Sequence, residues 1–292
     1  MIWIYLALFA YLLNAFSFIV DKYLLHSPIP RPFAYASGVA ILSISVVVLI
    51  PFGVYIPSLK DLGYAMLSGS AFFAGLIFFY RSIKYGDITI SATRAGVFTV
   101  LFSYIFSIFI LKIVIVGLNL YAILFLVIGM LLFGIMDKGI FHYSLLAGAF
   151  FAFSLVMLKS VFISTDFING IFWTRIGFVL AALIPVMVSS HAKKHVIGTF
   201  LKTSRKSGFI FVLNKILIGT GFLLLYYAIS VGDVVIVNAL QGFQFVFIFL
   251  FALLLQNKIP GITENAYKQA IASKVAGMTF IVAGFLLLIF VQ

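Results

Sequence analysis

Ten stretches of this chain, each about twenty residues long and nearly free of charge, constrain its fold more than any other feature. They run from Met1 to Val20, Phe33 to Tyr55, Leu62 to Tyr80, Ile88 to Leu111, Val114 to Ile135, Tyr143 to Ile163, Phe167 to Ser189, Gly208 to Ile229, Val234 to Gln256 and Lys274 to Val291. About 20 apolar residues in an α-helix cross the roughly 30 Å of hydrocarbon in a bilayer. Strands that close into a membrane barrel alternate apolar and polar residues, whereas these runs are apolar all round. Composition agrees, since 64% of the 292 residues are hydrophobic and 9% charged, too few charges to cover a soluble surface. The predicted fold class is therefore an all-α integral membrane protein with ten transmembrane helices in a lipid bilayer. The first run lacks the basic start and small-residue cleavage site of a secretory signal, and is read as a retained first helix.

The formal charge of +12 comes from 19 Lys and Arg against 7 Asp and Glu. In a soluble chain it would suggest nucleic acid; here it reads as topology, and no nucleic-acid partner is expected. Loops after runs 1, 3, 5, 7 and 9 hold thirteen Lys and Arg, against Lys60, Lys112 and Lys159 on the other side. Basic loops stay cytoplasmic, which predicts non-cytoplasmic termini in the cell (inner) membrane. Cys is absent and the four His form no H-E-x-x-H motif, so neither a metal nor a cofactor is expected. The runs hold no acid pair or Ser-His constellation, and no phosphate-loop or dinucleotide glycine fingerprint is present, so the chain is not expected to be an enzyme.

An internal repeat organises the runs. Residues Tyr80 to Lys112 align with Tyr226 to Lys258 at a fixed offset of 146, with eight identities in 33 that include Gly86-Asp87 and Gly232-Asp233. The chain divides into residues 1–138 and 139–292, each a five-helix repeat. Five is odd, so the second half enters the membrane from the opposite side and the repeats are inverted. That is an architecture of secondary transporters, in which one half rocks against the other about a site near the midplane.

The motifs resemble those of the drug/metabolite transporter superfamily, specifically its EamA-type members with two five-helix repeats. The likeness covers the whole chain. It rests on Gly96-Val97-Phe98-Thr99 in run 4 and Gly242-Phe243-Gln244-Phe245 in run 9, where Gly replaces the family's Pro. Gly277 and Gly284 match a glycine pair seven residues apart in run 10, and Ala122 and Gly129 match in run 5. Where the family often carries a Gly-Glu pair, this chain has Lys112 and Lys258. The resemblance implies a central cavity lined by helices 1 to 4 and 6 to 9, and efflux of amino acids or other metabolites. It also implies cytoplasmic termini, against the charge rule.

Ionisable side chains inside spans are costly and mark functional candidates. Arg94 in run 4, Lys215 in run 8 and Arg175 in run 7 lie about 10 to 12 Å in at 1.5 Å per residue. No acid is expected at that depth, because Asp21, Asp87 and Asp233 fall near run ends. Arg94 and Lys215 are expected to form an anion-binding subsite, with Arg175 across the cavity, although snorkelling to the headgroups is an equal reading. Asn238, Gln241 and Gln244 share a broad face of run 9 and are candidates for a polar cavity wall or for interhelical hydrogen bonds. Asn14 and Asn214 are candidates of the same kind. Gly96 and Gly242 are candidate bend points or close packing sites, and Tyr80 and Tyr226 candidate gates or interfacial anchors.

The expected function is secondary transport of small metabolites, amino acids or related carboxylates, by alternating access. The alternatives are an exchanger or flippase for phosphorylated sugars or lipid-linked sugar phosphates, and a membrane protein without flux. The expected partners are a small-molecule substrate and the lipid bilayer; oligomeric state is left open.

Overall fold

The structure, a computed structural model, describes residues 2–134, 141–255 and 268–291, and among these it is helical with no strand. Nine of the described helices are long and apolar enough to cross a membrane, and Leu118–Leu132 is a shorter apolar one. This fits an integral membrane protein.

The chain opens with α1 (Ile2–His26), which continues six residues past the Val20 boundary of the first run. It stops at Ser27-Pro28-Ile29-Pro30, where prolines remove donors and disfavour helix in the preceding residue. Next, α2 (Pro32–Leu42) starts with Pro at its first position and then tightens into a 3-10 segment over Ser43–Phe52. Gly53 ends that segment at φ 93, a left-handed conformation that suits glycine. The chain continues with α3 (Leu59–Tyr85), α4 (Ile88–Phe106) and α5 (Leu118–Gly134), a π-helical turn at Ser107–Leu111 following α4. The remainder comprises α6 (Phe141–Ser164), α7 (Phe167–Val188), α8 (Ser190–Lys202), α9 (Arg205–Val231), α10 (Val234–Ala239), α11 (Gly242–Leu255) and α12 (Lys268–Val291).

Two further elements depart from the sequence reading. The basic connection between runs 7 and 8 is itself helical, as α8, with His191, Lys193, Lys194 and Lys202 on it. The ninth run is broken, α10 ending at Ala239 and α11 resuming at Gly242.

Tight turns between helices are set by side-chain caps. Ser58, Asp87, Asp166, Ser189, Ser204 and Asp233 each accept from a backbone N–H in the first turn of the helix that follows, satisfying donors that have no intrahelical partner. Burial pushes the Asp87 carboxyl above its ordinary value, against the opposing pull of the Ile90 and Thr89 N–H groups and of Lys274 and Lys22.

Packing brings α3 along α6 and α7, α1 along α9, α4 against α6, and α5 against α12. Small residues allow these approaches. A Cβ at Gly69 would collide with the α7 backbone at Thr174 and Phe178, and one at Gly148 would meet the backbone of Ala95 and Thr99. Gly129 and Gly284 do the same where α5 meets α12.

Candidate functional site

Lys215 sits ten residues into α9, about 15 Å along the helix, and its ammonium meets Asp21 of α1 at 2.6 Å. This corrects the expectation that no acid lies at its depth. Because α1 runs on to His26, Asp21 is inside a helix and fully buried. The same carboxylate oxygen accepts from the Tyr35 hydroxyl at 2.7 Å and the Asn214 side-chain amide at 2.5 Å. Asn214 also accepts from the Ser17 hydroxyl at 2.8 Å. Asp21 of α1 therefore gathers charge and donors from α2 and α9. In so apolar a setting two charges are tolerated because they pair and are hydrogen-bonded. The Lys215 ammonium is further flanked by rings, 4.8 Å from the Tyr35 centroid, 5.6 Å from Phe211 and 5.7 Å from Tyr80.

Beside this pair lies a cavity of about 490 Å³, within the size range of small-molecule sites. Lys215, Arg175, Tyr80 and Phe222 are in its wall, with α2 and the 3-10 segment on one side and α9 on the other. The Arg175 guanidinium lies 5.1 Å from the Tyr226 centroid, 5.7 Å from both Phe72 and Phe178, and 5.9 Å from Phe222. Four ring faces hold a cation by their quadrupoles, yet they satisfy few of its five N–H donors. Among the described residues no hydrogen bond or ion pair engages Arg175, so those donors are available to a ligand in the cavity.

At the end of the cavity toward the start of α9, aromatic contacts close the space. Tyr35 packs edge-on against Phe211 at 5.0 Å and against Tyr80 at 4.8 Å, and Phe200 of α8 reaches Phe211 at 5.7 Å. At the other end the loop after the 3-10 segment is latched to α7. Tyr55 N–H donates to the Asn169 side-chain oxygen at 2.9 Å, and Trp173 Nε1–H donates to the Tyr55 carbonyl at 2.7 Å. Asn169 is itself held by Asp166, which accepts from its backbone N–H at 2.9 Å and its amide at 2.7 Å. Burial pushes the Asp166 carboxyl up, but these bonds and the Ile168 N–H outweigh it and hold it below its ordinary value.

The candidates named from sequence fall into two groups. Lys215, Arg175 and Tyr80 line one cavity, Tyr226 is buried under Arg175, and Asn214 holds Asp21. Arg94 is half-buried on α4 and does not line that cavity. Asn238 is buried and donates to Ser103 Oγ at 2.8 Å, joining α10 to α4. Gln244 is buried on α11, and the Gln241 side-chain oxygen faces Gly96 at the α4–α11 contact. Asn14 is buried on α1 with its side-chain oxygen against Gly221 of α9. Gly242 restarts the broken helix, while Gly96 lies inside the unbroken α4, packed on Phe245. Lys258 lies outside the described residues. Sequence reasoning missed Asp21, Tyr35 and the ring cage of Arg175. A lone acid next to a run that holds a deep lysine elsewhere is the signal that could have found Asp21.

Neither a family model nor a curated protein matches the sequence. A crystal structure described simply as that of a protein is similar in fold, with a TM-score of 0.65 at 13% identity over 99% of this chain and 96% of the other. At that identity the likeness speaks for the fold alone.

Proposed function

We propose that the protein is a secondary transporter of the drug/metabolite transporter type, with ten spans in two inverted five-helix repeats. It carries small metabolites with an anionic group, amino acids or related carboxylates, by alternating access. The observation that carries this reading is the Arg175 guanidinium, held by four rings at the wall of a cavity at mid-span depth, with donors that no described protein group uses. A carboxylate satisfies such a fork with two parallel hydrogen bonds.

The inverted repeat is supported by side chains as well as sequence. Lys22 donates to the carbonyls of Ile83 and Gly86 at 2.7 Å each, and Lys159 to those of Ile229 and Gly232 at 2.9 Å each. The acceptors are related by the same offset of 146. Likewise Ser17 contacts Asn214 where α1 meets α9, and Ser154 contacts Ser68 where α6 meets α3. The offset also relates Lys215 to Gly69. In one half a glycine lets α3 close on α7; in the other a lysine faces a cavity between α9 and α2. Unequal packing at equivalent interfaces is what a carrier stopped on one side of its cycle requires. The tenth span in this reading is α5.

Thermal unfolding of the purified protein against neutral amino acids, aromatic amino acids, dicarboxylates and sugar phosphates tests the site. A ligand at a hundredfold excess over its Kd raises stability by about 2.7 kcal/mol. A shift from carboxylates that Arg175→Gln abolishes, with uptake of the same compound into sealed proteoliposomes, supports the reading. No shift and no uptake from any class sinks it. Orientation in the cell membrane follows from single cysteines at Ser204→Cys and Gln292→Cys. If Gln292→Cys alone reacts with an impermeant thiol reagent in intact cells, the termini are non-cytoplasmic, as the charge rule has it.

A further inference from the structure

The cavity has an apolar side facing the bilayer. Its wall includes Val48 of the 3-10 segment and Ile216 and Leu223 of α9, which are 69%, 62% and 48% exposed. Ile216 lies near the middle of its span, twelfth of the 27 residues of α9, while Val48 is seventeenth of the 21 in Pro32–Phe52, nearer the end of that span. At about 1.5 Å per residue the α9 positions sit at hydrocarbon depth. Among the described residues no hydrogen bond or ring pair joins the 3-10 segment to α9. The contacts that hold the segment go to α7 and α2 instead.

Two local features keep this side open. Ten residues of 3-10 helix is a long run for that geometry, which usually marks strain or a hinge, and Val46 alone of the ten is buried. Opposite it, Gly219 of α9 lines the cavity, and a Cβ there would have no atom within 4 Å. Glycine inside a membrane helix ordinarily serves close packing, as Gly69 and Gly148 do here. Gly219 packs against nothing described, and costs the helix about 1 kcal/mol relative to Ala. What it provides is empty volume in the cavity that Arg175 also lines.

We infer that the gap between the 3-10 segment and α9 is a lateral portal. Through it a membrane-dissolved amphiphile places an anionic head, carboxylate or phosphate, on Arg175, while its alkyl chain lies over Gly219 and out into the lipid. The rim explains the preference for an amphiphile. Val48, Ile216 and Leu223 accept a chain, whereas a wholly polar solute there would face hydrocarbon unsatisfied. This inference rests on Arg175 being the substrate anion site and extends the cargo from water-soluble carboxylates to lipid-like ones.

The test uses the full chain in phosphatidylcholine nanodiscs doped with one diazirine-bearing probe at a time: palmitate, hexadecyl phosphate or phosphatidylcholine. Labelled residues are mapped by mass spectrometry. The expected result is labelling of the 3-10 segment and of α9 between Val212 and Leu223 by one or both anionic probes, about tenfold above the phosphatidylcholine probe, as a 1.4 kcal/mol preference gives. The probe that labels identifies the head. Gly219→Trp, or Gly219→Leu should the larger side chain prevent folding, reduces the signal to the phosphatidylcholine level, and Arg175→Gln removes the preference for anions. Equal labelling from all three probes means annular lipid and overturns the portal, as does labelling that survives both Gly219 variants. Thermal shifts by soluble carboxylates, measured on the same samples, separate the two claims. If they persist while portal labelling is absent, the portal fails and the transporter stands. If labelling holds with no soluble ligand and no uptake, the transporter fails and a lipid-anion site remains.

Discussion

Asp21 and Lys215, on helices 194 residues apart in sequence, form an ion pair of 2.6 Å with their side chains 0% and 4% exposed. A pair this dry is defined by what happens when half of it is removed. Truncating one partner leaves an uncompensated charge, which costs about 3–5 kcal/mol. Asp21→Asn and Lys215→Met are each expected to lower stability by that order, and the double variant to recover much of the loss. A double-mutant cycle on thermal unfolding in detergent measures it. If the two losses simply add, the pair is not coupled and the geometry at the α1–α9 contact is wrong.

The same pair shows where sequence reasoning held and where it stopped. Length and uniform apolarity placed the long apolar helices because hydrocarbon demands about twenty apolar residues whatever their order. The end of the first helix was misjudged, because Asp21-Lys22 looks like an interfacial stop. Both residues are in fact buried, one on Lys215 and the other on the carbonyls that end α3. Partners supplied from distant helices are invisible to any local window. Lys215 and Arg175 could be named from sequence as deep cations. That they share one wall, and that Arg94 stands elsewhere, follows from packing. The broken helix at Leu240-Gln241 left a trace in Gly242, whereas nothing in Ser43–Phe52 distinguishes a 3-10 segment from an α-helix.

Lys22 and Lys159 perform equivalent tasks, each closing the end of a helix that terminates in Gly-Asp. Three carbonyls converge on Lys159 within 3.0 Å. Hydrogen bonds to a charged group are worth about 1.5–3 kcal/mol. Lys22→Met and Lys159→Met are both expected to lose stability on that scale, with Lys22→Met the more severe because that side chain is more deeply buried. Thermal unfolding of the two single variants decides. A neutral Lys159→Met would mean that the carbonyls are satisfied without it and would remove a support for the inverted repeat.

Two glycines on neighbouring helices should respond in opposite senses to one added methyl. At Gly69 that methyl enters the backbone of α7, at Thr174 and Phe178, where no flexible side chain can move aside. Gly69→Ala must therefore push α3 away from α7, and overpacking of this kind costs about 1–3 kcal/mol or more. At Gly219 the methyl meets open space, so Gly219→Ala is expected to be neutral or to stabilise by up to about 1 kcal/mol through helix propensity. Melting temperatures of the two variants against wild type check the contrast. A destabilised Gly219→Ala would show that α9 packs against something at that position.

Acid should weaken the latch between α7 and the loop beyond the 3-10 segment. Asp166 caps α7 and holds Asn169, which accepts from Tyr55 N–H. Burial raises its carboxyl pKa, but the hydrogen bonds prevail and leave it below the ordinary 3.8. A group depressed in the folded state contributes stability that is present above its unfolded pKa and is lost as pH falls through the folded one. Removing such a cap costs about 0.5–2 kcal/mol. Asp166→Ala is thus expected to melt below wild type by a constant margin between pH 7 and 5, a margin that narrows below about pH 4. Carboxylates common to both proteins cancel in that difference, so the pH at which the margin closes belongs to Asp166. A margin that stays constant down to pH 3 would mean that Asp166 acts through its shape and not its charge, with the latch held by Asn169 and Trp173.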